Sequence, residues 1–278
     1  MIDKFIFSYE HGQTPNPCID CNRYLKFQKL FQRAKELQYD YVVTGHYART
    51  EYDEASGRYL LKKALDLSKD QSYVLYSLTQ EQLSHIRFPL GCFTKTDVRK
   101  IAEEQGFINA KKHDSQDICF VPSGHYTDFM ERYTGKHYPE GDFIDTKGNV
   151  LGRHKGIVRY TIGQRKGLGI ALGSPMYVSA VDPVNNTVTL AADGELYGNH
   201  LTASDLNFIS TGSIPEPIRV KAKIRYRHEE QWATVVQTDD DILDVTFDEP
   251  QRAITAGQAL VLYDGDLVIG GGTICSKS

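Results

Sequence analysis

The chain has 278 residues, 40% of them apolar and 24% charged, with 32 Lys and Arg against 36 Asp and Glu for a net charge of −4. That composition excludes a disordered chain and suits two or three cored units. No apolar run reaches membrane-spanning length, the first ten residues lack the basic start and apolar core of a secretion signal, and five irregularly spaced cysteines make no disulfide framework. The expectation is a soluble protein of the reducing cytoplasm with no membrane partner.

The first segment with chemical character is Thr14-Pro15-Asn16-Pro17-Cys18-Ile19-Asp20-Cys21-Asn22. Two prolines stiffen the approach to Cys21, and Asn22 reads as the N-cap of an amphipathic helix to Gln38 that carries Leu25, Phe27, Leu30, Phe31, Ala34 and Leu37 on its apolar face. Cys21 would then sit at a helix N-terminus, where partial positive charge favours the thiolate. Tyr41 to Thr44 reads as a short buried strand, with Gly45-His46 at its carboxyl end, where open α/β sheets bind ligands. Arg58 to Ala64 reads as a strand, and Asp70 as the cap of a helix from Gln71 to about Leu78. Thr79-x-x-Gln82 is a capping box, and Thr96 to Gln105 is a helix closed by Gly106. Cys92 reads as a small buried apolar residue. Asp114-Ser115-Gln116-Asp117 leads into a short strand, Ile118-Cys119-Phe120, and a helix beginning near Ser123.

After about Tyr133 the pattern turns to β structure. Val178 to Asp182 and Thr187 to Ala191 flank Pro183-Val184-Asn185-Asn186 as a hairpin, and Tyr263-Asp264-Gly265-Asp266 carries the Asp-Gly signal of another. The expected division is residues 1–132 as an α/β unit, 133–204 as a central β-rich unit and 205–278 as a β-barrel. Between Asp145 and Asp182 there is no carboxylate, while Lys147, Arg153, Lys155, Arg159, Arg165 and Lys166 fall in the gap. Gly163, Gly167, Gly169 and Gly173 lie in this basic stretch without a P-loop pattern or a following helix, so RNA contact is the expected use. Arg219, Lys221, Lys223, Arg225 and Arg227 alternate with Val220, Ala222, Ile224 and Tyr226, which puts five cations on one strand face. Such a face suits an RNA backbone; the alternative is charge pairing with Glu229, Glu230 or Asp239-Asp240-Asp241.

Cys18-x-x-Cys21 also matches half of a zinc site or a redox pair. Cys92, Cys119 and Cys275 offer no second pair at metal-ligand spacing, so no bound metal is expected, and the motif follows a Pro-rich loop rather than the strand of a thioredoxin-like unit.

The ordered strings TPNPCIDCN-RYLKF, VVTGHYAR, KDQSYVLY, DSQDICF, YTIGQRKGLGI and GQALVLYDGDLVIGGGTI resemble the tRNA-specific 2-thiouridylases of the MnmA type over nearly the whole chain. The resemblance implies a multidomain α/β plus β protein: a Rossmann-like domain of the adenine nucleotide alpha hydrolase (PP-loop) type, a small central β-rich domain and a C-terminal β-barrel. It implies an ATP-dependent sulfurtransferase, using Mg2+, that moves persulfide sulfur to C2 of the wobble uridine (position 34) of tRNA and releases AMP and pyrophosphate, with a persulfide donor protein as partner. Carried over residue by residue, Cys21 is the attacking thiol and Cys119 the sulfur carrier, the two ending as a disulfide. Gly45 would touch nucleotide, and Asn16, Pro17 and Cys18 the target base. His46, Lys69, Asp70, Gln71, Arg225, Tyr226 and Gln258 would contact tRNA. Two departures stand out. The family begins with an S-G-G-x-D-S nucleotide loop that this sequence lacks, so an N-terminally truncated and inactive chain is expected, and Cys18 stands where many members have Asp. A non-catalytic tRNA-binding remnant and a CxxC redox or metal module remain as alternatives.

Overall fold

The computed structural model describes residues 1–111, 118–121 and 125–277. Helix α1 (Ile2–Glu10) leads through a turn at Gly12 into a helical run from Pro17 to Glu36. This run is α2 (Pro17–Asp20), a π-helical stretch (Cys21–Lys29) and α3 (Leu30–Glu36). Its N-cap is Asn16, whose side chain accepts the Cys18 N–H at 3.2 Å, with Pro17 at the first helical position. The expected cap at Asn22 is therefore corrected: Asn22 lies inside the helix, buried, and donates to the Val74 carbonyl at 3.3 Å. Pro17 suits the first turn because its missing N–H would have had no intrahelical partner.

The π stretch also changes which residues face the core. A wider turn brings residues five apart onto one side, so Asn22 and Phe27 are buried together, while Leu25 and Leu30 of the expected apolar face are exposed. Gln38 ends the run at φ +59°, taking the left-handed position usually given to glycine.

Strand β1 (Val42–Val43) pairs in parallel with β4 (Ile86–Arg87) as a two-stranded sheet. It was expected to be buried, yet Val43 is 63% exposed, because β1 has a sheet neighbour on one side only among the described residues. Hairpin β2 (Ala48–Asp53) and β3 (Arg58–Lys63) follows. The expected helix from Gln71 is a single 3-10 turn, Ser72–Leu75, and the Asp70 carboxylate accepts the Ala64 and Ser72 N–H groups beside it. Helices α4 (Gln80–His85) and α5 (Lys95–Glu104) have capping boxes at Thr79 with Gln82 and Thr94 with Asp97. Cys92 is exposed, not buried, because Pro89–Cys92 forms a surface 3-10 turn in which Gly91, not Cys92, packs inward. Ile118, Cys119 and Phe120 form a turn rather than a strand, and the Val121 N–H returns to the Ile118 carbonyl at 2.9 Å. The Asp114–Asp117 lead and the helix start near Ser123 lie outside the described residues; α6 spans Tyr126–Thr134.

The central sheet has the order β6-β5-β8-β7, from β5 (Gly141–Ile144), β6 (Val150–His154), β7 (Tyr177–Asp182) and β8 (Thr187–Ala191). The β7–β8 hairpin turns at Pro183–Asn186 as the sequence predicts. The last six strands are β9 (Tyr197–Phe208), β10 (Ile218–Lys223), β11 (Gln231–Asp239), β12 (Ile242–Arg252), β13 (Ala259–Asp264) and β14 (Leu267–Lys277). They run β13-β10-β11-β12-β9-β14, and β13–β14 pairing closes them into a barrel whose last hairpin turns at Asp264-Gly265-Asp266.

Three buried clusters organise the molecule, and two of them cross between units. The first joins Ile19, Phe27, Tyr73 and Leu75 of the N-terminal unit to Val261, Tyr263 and Val268 of the barrel. It is sealed by the Tyr73 hydroxyl donating to the Ala259 carbonyl at 2.8 Å, and by β3 meeting β14 at Lys62 and Leu267. The second fills the barrel. The third places Phe5, Ile6 and Tyr9 of α1 among Met130, Phe143, Val178 and Val188 of the central unit. Phe5 is fully buried and meets Phe120 edge to face at 5.3 Å between centroids, so it also props the turn carrying Cys119. Phe5→Ala is expected to destabilise the protein by about 3–5 kcal/mol in a urea titration, the usual cost of emptying a buried phenylalanine site. A loss under about 1 kcal/mol would show that α1 is not part of this core.

Candidate functional site

The loop ahead of Cys18 is held against the barrel. The Thr14 N–H donates to the Ala256 carbonyl at 2.9 Å, and Gln258 Nε2 donates to the Thr14 carbonyl at 2.7 Å. Gly257 between them has φ +86°, and a Cβ there would come within 3.2 Å of the Thr14 oxygen, so glycine permits the contact. Gln258 thus lies directly behind Asn16 and Pro17, and the helix begins from a fixed point.

On that helix Cys18 is exposed and Cys21, one turn further on, is half-buried. The Cys21 N–H donates to the carbonyls of Cys18 and Pro17. The Cys119 thiol approaches the cluster from its own turn, near enough for its charge to act on both Cys21 and Cys18. The sequence suggested that a helix N-terminus would favour the Cys21 thiolate. Instead Cys21 lies more than one turn inside a helix begun at Asn16, and burial pushes its thiol up, with Lys26 pulling it down and Cys119 adding to the rise. Burial also raises the Cys18 thiol, with the charges of Cys119 and Cys21 adding to it and Lys26 opposing.

Lys26 is the residue that sequence reasoning missed. It stands five positions after Cys21 within the π stretch, the spacing that a π turn brings onto one face. Its ammonium lies 3.5 Å from His46 Nε2 and can only donate, so His46 Nε2 accepts and Nδ1 donates to Thr44 Oγ1 at 2.8 Å. His46 is buried, and burial together with Lys26 lowers its pKa to about 4. The imidazole is therefore neutral at ordinary pH. The available signal was the RYLKF string itself, but its meaning depends on a helix register that sequence periodicity does not show.

The remaining expected residues divide into two groups. Tyr226 is close enough to Cys18 for the thiolate to raise its phenol, an effect smaller than that of burial, and its hydroxyl donates to the Asp70 carbonyl at 3.1 Å. Asp70 and Tyr226 therefore flank the cysteines. Gln71 is used locally, accepting the Tyr47 N–H at 3.0 Å, and half-buried Lys69 lowers the Asp66 carboxyl, a minor influence beside the Ser68 hydrogen bonds. Gly45 has no unusual φ, and a Cβ there would meet only Leu90 Cδ1 at 3.6 Å. Arg225 is half-buried against the barrel rim, where one amino group donates to the Ile162 and Ala253 carbonyls and to Thr255 Oγ1. Asp20, the carboxylate nearest in sequence to the family aspartate, is buried in an ion pair with Lys4 at 2.8 Å and is not free to serve Cys21 as a base.

The basic strand has the expected alternation, with Val220, Ala222 and Ile224 buried, but regular strand ends at Lys223. Arg219 forms a two-pronged ion pair with Asp248, and Lys221 lies over the Trp232 ring. Burial lowers the Lys223 ammonium while Glu230 opposes it. The Asp239–Asp241 cluster does not serve this face; Asp241 instead accepts the Asp205 and Leu206 N–H groups. Among the described residues no group of three or more His, Cys, Asp or Glu side chains is arranged to hold a metal ion, and no helix is long and apolar enough to cross a membrane.

The electrostatics around His46 can be measured. A histidine kept neutral by the fold loses stability on acidification, because the unfolded chain takes up a proton near pH 6.5 that the folded chain refuses until about pH 4. Stability should therefore fall between those values, with His46 contributing up to about 3 kcal/mol of the loss. Lys26→Met should raise the His46 pKa in an NMR titration and move alkylation of Cys21 to higher pH. An unmoved His46 resonance would remove Lys26 from the site.

Three family models match successive parts of the chain. The model described as the tRNA methyl transferase HUP domain matches residues 1–123, the tRNA methyl transferase PRC-barrel domain residues 127–192, and the aminomethyltransferase beta-barrel domain residues 198–274. The tRNA-specific 2-thiouridylase MnmA of Clostridioides difficile is 52% identical over 274 residues, covering 99% of this chain and 76% of that protein. The protein of the same name from Acetivibrio thermocellus is 54% identical over 274 residues, with the same coverage. The tRNA-specific 2-thiouridylase MnmA 1 of a Thermoanaerobacter species is 53% identical over 277 residues, covering 100% of this chain and 76% of that protein. With three domain models in register and half of all positions identical to such relatives, the chain belongs to the family of MnmA-type tRNA-specific 2-thiouridylases.

Proposed function

We propose that the chain carries the sulfur-transfer centre for 2-thiolation of the wobble uridine of tRNA, with Cys119 as sulfur carrier and Cys21 as the thiol that discharges it. The observation that supports this most directly is the proximity of the Cys21 and Cys119 thiols, close enough to influence each other although 98 positions apart in the chain. In this reading a donor protein leaves a persulfide on Cys119. The Cys21 thiolate attacks Cys119 Sγ; the bond from Cys119 Sγ to the outer sulfur breaks, and that sulfur leaves at the sulfide level toward the acceptor carbon. Two thiols are oxidised to one disulfide as the outer sulfur is reduced, and a dithiol reductant reopens the pair. Lys26 supports the Cys21 thiolate, while neutral His46 accepts from Lys26 and holds its ammonium beside the thiols. Asn16, Pro17 and Cys18 form the edge against which a flipped uridine would rest.

The nucleotide implied by the family is not matched by what these residues offer. Gly45 makes no close backbone approach, and the left-handed glycines Gly163, Gly167 and Gly169 lie in a loop with no helix after it, so the described residues do not form a triphosphate cradle and no step is assigned to ATP. A cytoplasmic setting fits chemistry that depends on reduced thiols.

Loading with inorganic polysulfide tests the cysteine assignment directly. Peptide mass mapping should find the added sulfur on Cys119. Protein with Cys21 intact should release it as sulfide, and Cys21→Ser should retain it. Added sulfur on Cys92 or Cys275, or release unaffected by Cys21→Ser, would overturn the assignment.

For tRNA, the exposed Lys155 and Lys166 make no ion pair among the described residues, and Lys221 is engaged only with Trp232. Replacing all three with Ala should weaken tRNA binding and flatten its salt dependence by up to about one unit per lost phosphate contact. Arg225 is unsuitable for that test because its loss would leave three oxygen acceptors without their donor.

A further inference from the structure

The two-thiol chemistry leaves the Cys18 sulfur without a part in the bond-making, although all three sulfurs lie in one cluster. Cys18 and Cys21 are three residues apart on a helix, so their Cβ atoms are about 5–6 Å apart on the same side. Cys119 lies near both thiols from outside the helix, its charge acting on each. As residues, Cys18 is exposed and Cys21 half-buried, so neither is sealed from solvent. Among the described residues no backbone hydrogen bond joins the turn bearing Cys119 to the helix; its own bond runs from Val121 to Ile118.

We propose that Cys18 is a resolving thiol that takes over the spent disulfide and returns Cys119 to the free form. This rests on the assignment of Cys119 and Cys21 given above. The Cys18 thiolate donates an electron pair to Cys21 Sγ. The Cys21–Cys119 bond breaks, a Cys18–Cys21 bond forms, and Cys119 leaves as a thiolate that takes from solvent a proton equal to the one Cys18 released. One disulfide replaces another, so no oxidant or reductant enters this step.

The direction follows from placement. Attack at Cys21 frees the carrier, whereas attack at Cys119 would leave the carrier blocked in a Cys18–Cys119 bridge. Closing Cys18 to Cys21 needs about 1 Å or more of movement within a first helical turn, since bridged Cβ atoms lie near 3.8 Å. A bridge under such strain is readily reduced, which suits a pair that a dithiol must reopen in every cycle. Burial raises the thiols of both Cys18 and Cys21 and Lys26 opposes that rise in each, so the attacking group shares the cation that serves the first step.

The test is a time course on the full chain, oxidised with one equivalent of diamide, quenched in acid, alkylated and mapped by peptide mass. In the parent protein the Cys21–Cys119 peptide should rise first and then give way to Cys18–Cys21, with Cys119 alkylated. Cys18→Ser should stop at Cys21–Cys119. Cys119→Ser, which removes the intermediate, should slow the appearance of Cys18–Cys21 by about tenfold or more. Persistence of Cys21–Cys119 in the parent protein, accumulation of Cys18–Cys119, or Cys18–Cys21 forming equally fast in Cys119→Ser would each overturn the relay while leaving the carrier assignment intact. Failure of any Cys119 bridge to form, even in Cys18→Ser, would instead overturn the carrier assignment and the relay with it.

Discussion

The docking of Thr14 against Ala256 and Gln258 is the constraint on which the site depends. It fixes where the helical run begins, and Asn16 and Pro17 then determine which residue occupies each turn. From that origin Cys18 faces outward, Cys21 lies a turn deeper, and the π stretch brings Lys26 round to His46. The shared core of Ile19, Phe27, Tyr73, Val261 and Tyr263 holds both sides of this contact in one packed unit. The barrel is thus part of the scaffold of the thiols as well as a surface that could meet RNA.

Electrostatics around the site work through opposition. Burial pushes both helix thiols up while one ammonium pulls them down. The same ammonium, with burial, keeps His46 from taking a proton. A neutral imidazole beside a cation leaves the positive charge concentrated on Lys26, where it can favour a thiolate, instead of spreading it over two groups. Several arginines are engaged within the fold: Arg23 is paired with Asp205, Arg219 with Asp248, and Arg225 is folded onto carbonyl oxygens.

Features written in a few neighbouring residues were legible from sequence. The capping box at Thr79, the hairpins at Pro183–Asn186 and Asp264–Asp266, and the inward alternation of Val220, Ala222 and Ile224 each arise from local backbone preference or strict period. Cys21 stood out from its own surroundings, but its pairing with Cys119 was visible only through family resemblance, because no spacing rule links position 21 to position 119. What periodicity could not show was the π register, which turns Leu25 and Leu30 outward and brings Lys26 into the site. It also could not distinguish an arginine on a strand face from one folded under the rim, as at Arg225, or tell that Cys92 would lie on a surface turn whose inward position goes to Gly91.

Helix α1 belongs by packing to the central unit, yet its Lys4 is paired with Asp20, the residue directly before Cys21. Its Phe5 meanwhile braces the turn that carries Cys119. A single nine-residue helix rooted in the central unit therefore touches both thiol-bearing segments. The relative placing of the two sulfurs thus draws on the packing of a unit that contributes no cysteine of its own to the cluster.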